Sequence, residues 1–391
     1  MTFGAYFFPC YHQALFHPRP DGHTMKQTLI RRQEKLTQLL ANSPIDAVAI
    51  IPGPNFQYLT GLSFHLMERP TLLFVTAQGE LMAIMPALER LMWEAAMPSV
   101  STFYWQDKDG FEAAFATAKQ HLGNMKLGVE GLRMRVFEAD ALRQQFGHDS
   151  ISNAADIFNQ LRYCKDNSEI ALIEKAIAIS EVALQETLAE VKAGMLETDI
   201  LNLLKMRMLA NGTEGFAFEP IVLAGGNAAN PHGHAGTRAL QAGDPLLIDF
   251  GAFYQGYSAD ITRTYFCQYA TDFHADLYHT VLAANSKGRA LASPACTAHD
   301  IDAAVTQVLN NSAHADFIVH KTGHGLGLDV HEAPQVMIGN HAALLPGVVM
   351  TIEPGLYKPQ DIGVRIEDDV LITENGCRSL TNLSRNLTII G

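Results

Sequence analysis

The chain has little cysteine, little positive charge and no long apolar run. Its five cysteines in 391 residues (Cys10, Cys164, Cys267, Cys296, Cys377) are odd in number and never spaced C-x-x-C. That excludes a disulfide framework and points to a reducing compartment, the cytoplasm. No apolar stretch reaches the roughly 20 residues that cross a bilayer, so no membrane partner is expected. Lysine and arginine total 28 against 41 acids, a net charge of −13, and nowhere gather into a basic run. That balance argues against a nucleic-acid partner. The opening stretch MTFGAYFFPCYHQALFHPRPDGHT has neither the basic start nor the small-residue cleavage site of a secretion signal. It fits no element, and residues 1–24 are expected to be a leader outside the fold, with Met25 as the start. What is present is ordinary globular material, 48% hydrophobic and 18% charged. That is enough for a large core, in a length that predicts two domains.

From Met25 to about residue 155 the pattern alternates. A charged helix (Met25 to Leu40) precedes the apolar strand Ala47 to Ile51. A Pro-Gly-Pro-Asn turn follows, then the strand Thr71 to Val75 and, after a Gln-Gly turn, LMAIM. Short connections between such elements predict an α/β unit. It carries no dense set of acids, bases or metal-type residues, so a folding and oligomerisation role is expected. A seam lies near residues 151–167, where Asp166-Asn167-Ser168-Glu169 opens a helix expected over Ser168 to Val191, with a second over Glu197 to Ala210. Residues 170–233 and 271–325 then run to one plan. Each has a long helix, a second helix opening in Asp-Ile (Asp199-Ile200; Asp300-Ile301), an aromatic segment and an x-His-Gly triplet, at His232 and His324. Two such halves packed about a pseudo-twofold axis would face both triplets into one cleft. Chance similarity of helical segments accounts for the match equally well.

The second half holds β segments with acids at sharp positions. In PLLIDFGAFYQGYSADITRTYF, Asp249 ends an apolar run and Asp260 opens an alternating strand, with Thr262 and Thr264 on its face. The glycine- and tyrosine-rich stretch between reads as a hairpin connection that brings the two carboxylates together. A carboxylate directly after an apolar strand is costly to bury unpaired, so Asp249 needs a cation or several donors, unless it merely caps the turn. In HKTGHGLGLDVHEAP, glycines flank His324, letting backbone and imidazole approach a small ligand, and His331 follows. In VVMTIEPGLYKPQDIGVRIEDDVLIT, Glu353 and Glu367 occupy corresponding places in two β runs. Two aspartates, one histidine and two glutamates give four negative charges and one imidazole. Such carboxylates cannot cluster in a cleft without cations. Two divalent ions would balance them, held about 3.5–4 Å apart by bridging carboxylates. Oxygen-dominated ligation with one nitrogen suits Mn²⁺, while Co²⁺, Zn²⁺ and Fe²⁺ stay open.

The segments IDFGAFYQGYSADITRT, TGHGLGLDVHEAP, TIEPGLY and GVRIED resemble the signatures of the pita-bread metallopeptidases, and within them the Xaa-Pro branch of prolidase and aminopeptidase P-like enzymes. NFQYLTGL (Asn55 to Leu62) followed by ERP (Glu68 to Pro70) is similar to the creatinase-type N-terminal domain of that branch. The resemblance covers essentially the whole chain after Met25. It implies an α/β creatinase-like N-terminal domain over residues 25–158. An α+β pita-bread catalytic domain with pseudo-twofold symmetry would follow over residues 159–391. It implies that Asp249, Asp260, His324, Glu353 and Glu367 are the metal ligands and that His232 and His331 line the substrate site. It implies a homodimer acting on the Xaa-Pro bond of dipeptides or short proline-containing peptides. On that reading an activated water attacks the carbonyl before proline. His232 or His331 would donate to the oxyanion, and Glu353 would double as proton shuttle. Arg365 is expected either to bind the substrate's carboxylate or to support a ligand carboxylate. The family's prokaryotic dipeptidases often carry an arginine just after His-Glu-x-Pro; here Gln335 stands there, which leaves room for longer peptides. The alternatives are a metal-dependent hydrolase of the same fold acting on another small amide, a metal-free creatinase-like hydrolase, and a non-catalytic binding module. The last two commonly lack the acids that this chain has.

Overall fold

The computed structural model describes residues 22–391, with side chains from residue 26. The expected leader thus lies almost wholly outside the described residues, and the first helix, α1 (Gly22–Ala41), begins just ahead of Met25. Contacts divide the chain into two units, one running to Val129 and including Arg133–Ser152, the other comprising Glu130–Leu132 and Asn153–Gly391.

In the first unit the apolar runs become a six-stranded sheet. Its strands are β1 (Ala47–Ile50), β2 (Leu72–Thr76), β3 (Leu81–Pro86), β4 (Ser101–Trp105), β5 (Leu127–Val129) and β6 (Ile151–Asn153), in the order β4-β3-β2-β1-β5-β6. β1 pairs antiparallel with β2 and parallel with β5, so the sheet is mixed. β1 and β2 are buried along their whole length because both faces are covered, which is why they read as unbroken apolar runs. Ala47, Ala49, Leu72 and Phe74 face a core completed by Phe115 and Leu122 of α4 (Glu112–Leu122) and Leu142 of α5 (Val136–Phe146). Helices α2 (Pro54–Thr60) and α3 (Arg90–Ala96) complete this unit.

The second unit opens with α6 (Ala155–Arg162) and α7 (Asn167–Leu188). Asp166 caps α7, its Oδ1 accepting from the Ser168 and Glu169 amides at 2.8 and 3.0 Å, while Glu169 Oε2 accepts from the Asp166 amide at 3.0 Å. Such a reciprocal box is worth about 1 kcal/mol. The helix stops three residues short of the expected Val191, ahead of a turn at Gly194 with φ 93°. α8 (Glu197–Ala210) has the expected bounds. The pair α9 (Asp272–Leu291) and α10 (Ala298–Asn310) repeats the plan, and Thr297 and Asp300 form a second capping box.

The small strands β7 (Gly215–Phe216), β10 (Ala252–Tyr254) and β11 (Tyr257–Ser258) form one sheet. β8 (Ile221–Ala224), β9 (Pro245–Phe250), β12 (Ile261–Cys267) and β20 (Ile389–Ile390) form another, in the order β20-β12-β9-β8. β13 (Gly323–Gly325), β14 (Glu332–Val336), β15 (Val349–Ile352), β18 (Asp368–Thr373) and β19 (Gly376–Ser379) form a third, in the order β14-β13-β15-β18-β19. β16 (Gly355–Lys358) and β17 (Ile362–Arg365) make an inner hairpin. The main core lies between α9–α10 and the strands β15–β18, with Val281, Ile301, Met350, Ile352, Val364 and Ile366 all fully buried. Among the described residues no helix is long and apolar enough to cross a membrane, and Cys267, Cys296 and Cys377 are free.

Candidate metal centre

The four acids lie where two long antiparallel pairs part. β9 and β12 stay in register from Pro245↔Phe266 to Phe250↔Ile261, with Asp249 opposite Thr262. The chain then leaves the ladder to form β10 and β11, and Asp260 is the residue at which it returns. β15 and β18 repeat the design: Ile352 pairs with Asp368, and Glu353 and Glu367 lie one step beyond, at the mouth of the β16–β17 hairpin. Each expected hairpin therefore does juxtapose its two acids. Glu367 is tied across to the other pair, its amide donating to Thr262 O at 3.1 Å and Thr262 Oγ1 donating to its Oε2 at 2.5 Å.

His324 comes from β13. Its flanking glycines serve the neighbouring strands rather than a ligand: a Cβ on Gly325 would strike the Ala333 carbonyl, and one on Gly323 the Thr351 carbonyl. Nδ1 of His324 faces Gly325 O at 3.0 Å and so carries the proton. That leaves Nε2 directed at Glu353 Oε1 (3.2 Å) and Asp260 Oδ2 (3.5 Å): carrying a proton it pairs with these carboxylates, and without one it offers its lone pair to a metal ion. Donor atoms of His324, Glu353 and Glu367 lie within 4.8 Å of one another, as do those of Asp249, Asp260 and Glu367, and those of Asp260, His324 and His331.

The electrostatics show why such a group needs cations. Burial, and then the charges of Glu367 and Asp249, push the Asp260 carboxyl well above its usual range. Burial with Glu353 and Asp249 does the same to Glu367. Asp249 is raised by burial despite Arg365 beside it. Glu353 goes the other way: burial would raise it, but hydrogen bonding and the charge of His324 hold it at about 2. Asp249 Oδ1 is buried with no hydrogen-bond partner. Crowded acids, an orphaned carboxylate oxygen and an imidazole aimed among them together fit a divalent-metal site.

Arg365 ends β17 and is 3% exposed. Its guanidinium contacts Asp249 Oδ2, donates from Nε to Thr262 Oγ1 at 3.0 Å and from Nη1 to Tyr357 Oη at 2.6 Å. His320 Nδ1 faces Lys321 O at 2.7 Å, so its Nε2 accepts from Tyr357 Oη at 2.8 Å. An oriented chain thus runs from Arg365 through Tyr357 to His320. His331 stands edge-on to His324 with ring centroids 4.1 Å apart. Burial and the His324 charge lower it to about 4, so it is neutral near pH 7. His232 sits on an exposed loop held by the fully buried Glu197, which accepts from the Ala224 amide (2.7 Å) and the Gly236 amide (2.8 Å).

All eight residues singled out from sequence line one cavity of about 480 Å³, together with Phe218, Val330, His320, Lys321 and Gln335. Sequence reasoning missed Tyr357, Lys321 and Asp369. Asp369 Oδ2 accepts from the Asp260 amide at 3.1 Å, and burial pushes its carboxyl well up. A signal was available: three successive acids inside the apolar run VRIEDDVLI cannot all face solvent. The middle one, Asp368, meets Arg263 at 2.7 Å and Arg385 at 2.6 Å and is held low.

Residues 171–374 match the model of metallopeptidase family M24, and residues 32–164 match the Creatinase/Prolidase N-terminal domain. An Xaa-Pro dipeptidase of Pyrococcus horikoshii is 32% identical over 354 residues, spanning 90% of this chain and 97% of the relative. Among solved structures, a prolidase from Thermococcus sibiricus superposes with a TM-score of 0.88 at 30% identity, over 93% of this chain and 99% of its own. An X-Pro aminopeptidase from Thermotoga maritima gives 0.80 at 30% identity, over 92% and 99%. The expected fold class holds: a creatinase-like α/β domain followed by a pita-bread catalytic domain.

Proposed function

This chain belongs to metallopeptidase family M24 and is a hydrolase; we propose that it cleaves the peptide bond before proline in dipeptides or short peptides. Asp249, Asp260, His324, Glu353 and Glu367 hold two divalent ions in this reading, Mn²⁺ by preference. The observation that carries it is the meeting of donor atoms from separate segments, in overlapping groups of three within 4.8 Å, with Asp260 and Glu367 driven well above their ordinary range by burial and by the charges of neighbouring acids. When bound, such ions supply a nucleophile at neutral pH and polarise the scissile carbonyl.

The chain's own groups do the rest. Glu353, ionised at neutral pH, accepts a proton and delivers it to the proline nitrogen. Neutral His331, and His232 on its loop, donate to the developing oxyanion. Of the two roles expected for Arg365, the one adopted is to orient Asp249. A proline nitrogen carries no N–H, so the fit of the pocket rather than a backbone hydrogen bond selects it. A cytoplasmic homodimer with domain limits at 25–158 and 159–391 belongs to the same reading. Elemental analysis of the purified protein, joined to a panel of Xaa-Pro and Xaa-Ala peptides, tests it. Two metal equivalents with cleavage confined to Xaa-Pro bonds are expected. Equal rates on both sets would put the substrate class wrong.

A further inference from the structure

The metal-centre cavity has an acidic end and, near it, a cation that no acid among the described residues neutralises. Two basic side chains line it, Arg365 and Lys321. Every nitrogen of Arg365 already engages Asp249, Thr262 or Tyr357. Lys321 differs. Its Nζ donates to the neutral amide oxygen Oε1 of Gln335, and among the described residues no carboxylate pairs with it. A half-buried ammonium with only an amide partner keeps its full charge available to an anion entering the cavity.

The position of that charge follows from the sheet. Gln335 on β14 is the direct cross-strand partner of His324 on β13. Directly opposed residues point to the same face, with Cβ atoms about 4.5–5.5 Å apart. Lys321 and Gln335 therefore stand one side chain away from the donor cluster. In an Xaa-Pro dipeptide the proline carboxylate lies roughly 3–4 Å beyond the scissile carbonyl carbon. The segment carrying Lys321 is fixed independently: buried Asp302 accepts from the Thr322 amide at 2.9 Å and Thr322 Oγ1 at 2.6 Å through Oδ1, and from the Ile338 amide at 2.7 Å through Oδ2.

We infer that Lys321, steadied by Gln335, is the specificity residue that binds the free carboxylate of the residue after the scissile bond, so that the cavity prefers Xaa-Pro dipeptides over peptides extended beyond proline. This rests on the Xaa-Pro reading above, which deepens to a free-acid substrate. Gln335 acquires a role as well, since its amide oxygen holds the ammonium in place without cancelling its charge.

The test compares Ala-Pro with Ala-Pro amide on the metal-loaded enzyme, for wild type, Lys321→Met and Lys321→Arg. In Lys321→Met, kcat/KM on Ala-Pro is expected to fall about 10- to 100-fold, the scale of a charge-assisted hydrogen bond, mainly through KM. The amide should change by less than about 3-fold on the same scale, and Lys321→Arg should recover most of the loss. Calorimetric binding of proline and of prolinamide gives a readout apart from turnover: Lys321→Met should weaken proline alone. Equal losses on acid and amide, or unchanged proline binding, would overturn the assignment. Should the wild type cleave neither peptide, the Xaa-Pro reading falls, and the binding comparison still decides whether Lys321 holds a carboxylate.

Discussion

The central strands of the two units are buried to the same depth and built from different chemistry. In the first unit β1 and β2 read AVAI and LLFVT, and every residue is buried. In the second, β12 is buried just as completely but reads ITRTYFC, and β18 begins with two buried aspartates. Apolar strands need only be covered. Charged strands need counter-charges, and the second unit supplies some, Arg263 for Asp368 and Arg365 for Asp249. It does not supply enough. Asp260 and Glu367 are left facing other acids, and Asp249 keeps an oxygen without a partner. A fold that leaves buried acid uncompensated is unstable as it stands, so the excess marks the place where cations belong.

The largest expected effect comes from removing part of that excess. Asp260→Asn should lower kcat/KM at least about 10³-fold and cut bound metal in elemental analysis. In chelator the order reverses, and the variant should melt above the wild type because one like charge has gone. The pH dependence has a definite sign. Asp260 and Glu367 have raised values in the folded chain. Their contribution to stability is present below the ordinary carboxylate range near 4 and is lost as pH rises through the raised values. Glu353, held at about 2, contributes oppositely: its share is present above the ordinary range and fades as pH falls toward 2. Melting of the chelated protein should therefore fall on going from mildly acidic to neutral pH, less steeply in Asp260→Asn. Full activity with undiminished metal in that variant would remove Asp260 from the ligand set.

The first unit supplies the opposite experiment. Phe74 is fully buried in the apolar core of its sheet. Phe74→Ala should cost about 3–5 kcal/mol in denaturant unfolding, through lost burial and the cavity left behind. Metal content per folded molecule should stay at the wild-type value. A matching loss of metal under conditions where the variant is folded would break the contrast between a sheet that only supports and sheets that also bind.

Much of this contrast was legible in the sequence. The first unit's strands announce themselves as apolar runs, and the capping residue Asp166 announces α7 because caps act locally. The acid pairs were legible because an acid at the end of an apolar β run has few inexpensive fates. What could not be read was register and side-chain reach. Nothing in the spacing says that the connection between Asp249 and Asp260 pairs into a sheet of its own with β7, or that Glu367 is tied to Thr262 across two sheets. The glycines beside His324 were read for the wrong neighbour, since only the packed strands reveal which backbone approaches them. Tyr357 and Lys321 escaped for a related reason: a tyrosine or lysine in a β segment gives no sign of its partner until the pairing is known.

Arg365 tests the comparison at its finest point, because it is the counter-charge that the second unit does provide. Lysine in its place keeps one positive charge and loses the planar fork that reaches Asp249, Thr262 and Tyr357 at once. If charge balance alone mattered, Arg365→Lys would be silent. If orientation of Asp249 matters, metal affinity should fall about 10- to 100-fold, measured by titration against a competing chelator, as for other residues that aim a metal ligand. The KM for Ala-Pro at saturating metal should then hardly move, because every nitrogen of the guanidinium is already engaged by Asp249, Thr262 or Tyr357. A rise in KM with metal affinity intact would instead make Arg365 the substrate's anchor and leave Lys321 without that role.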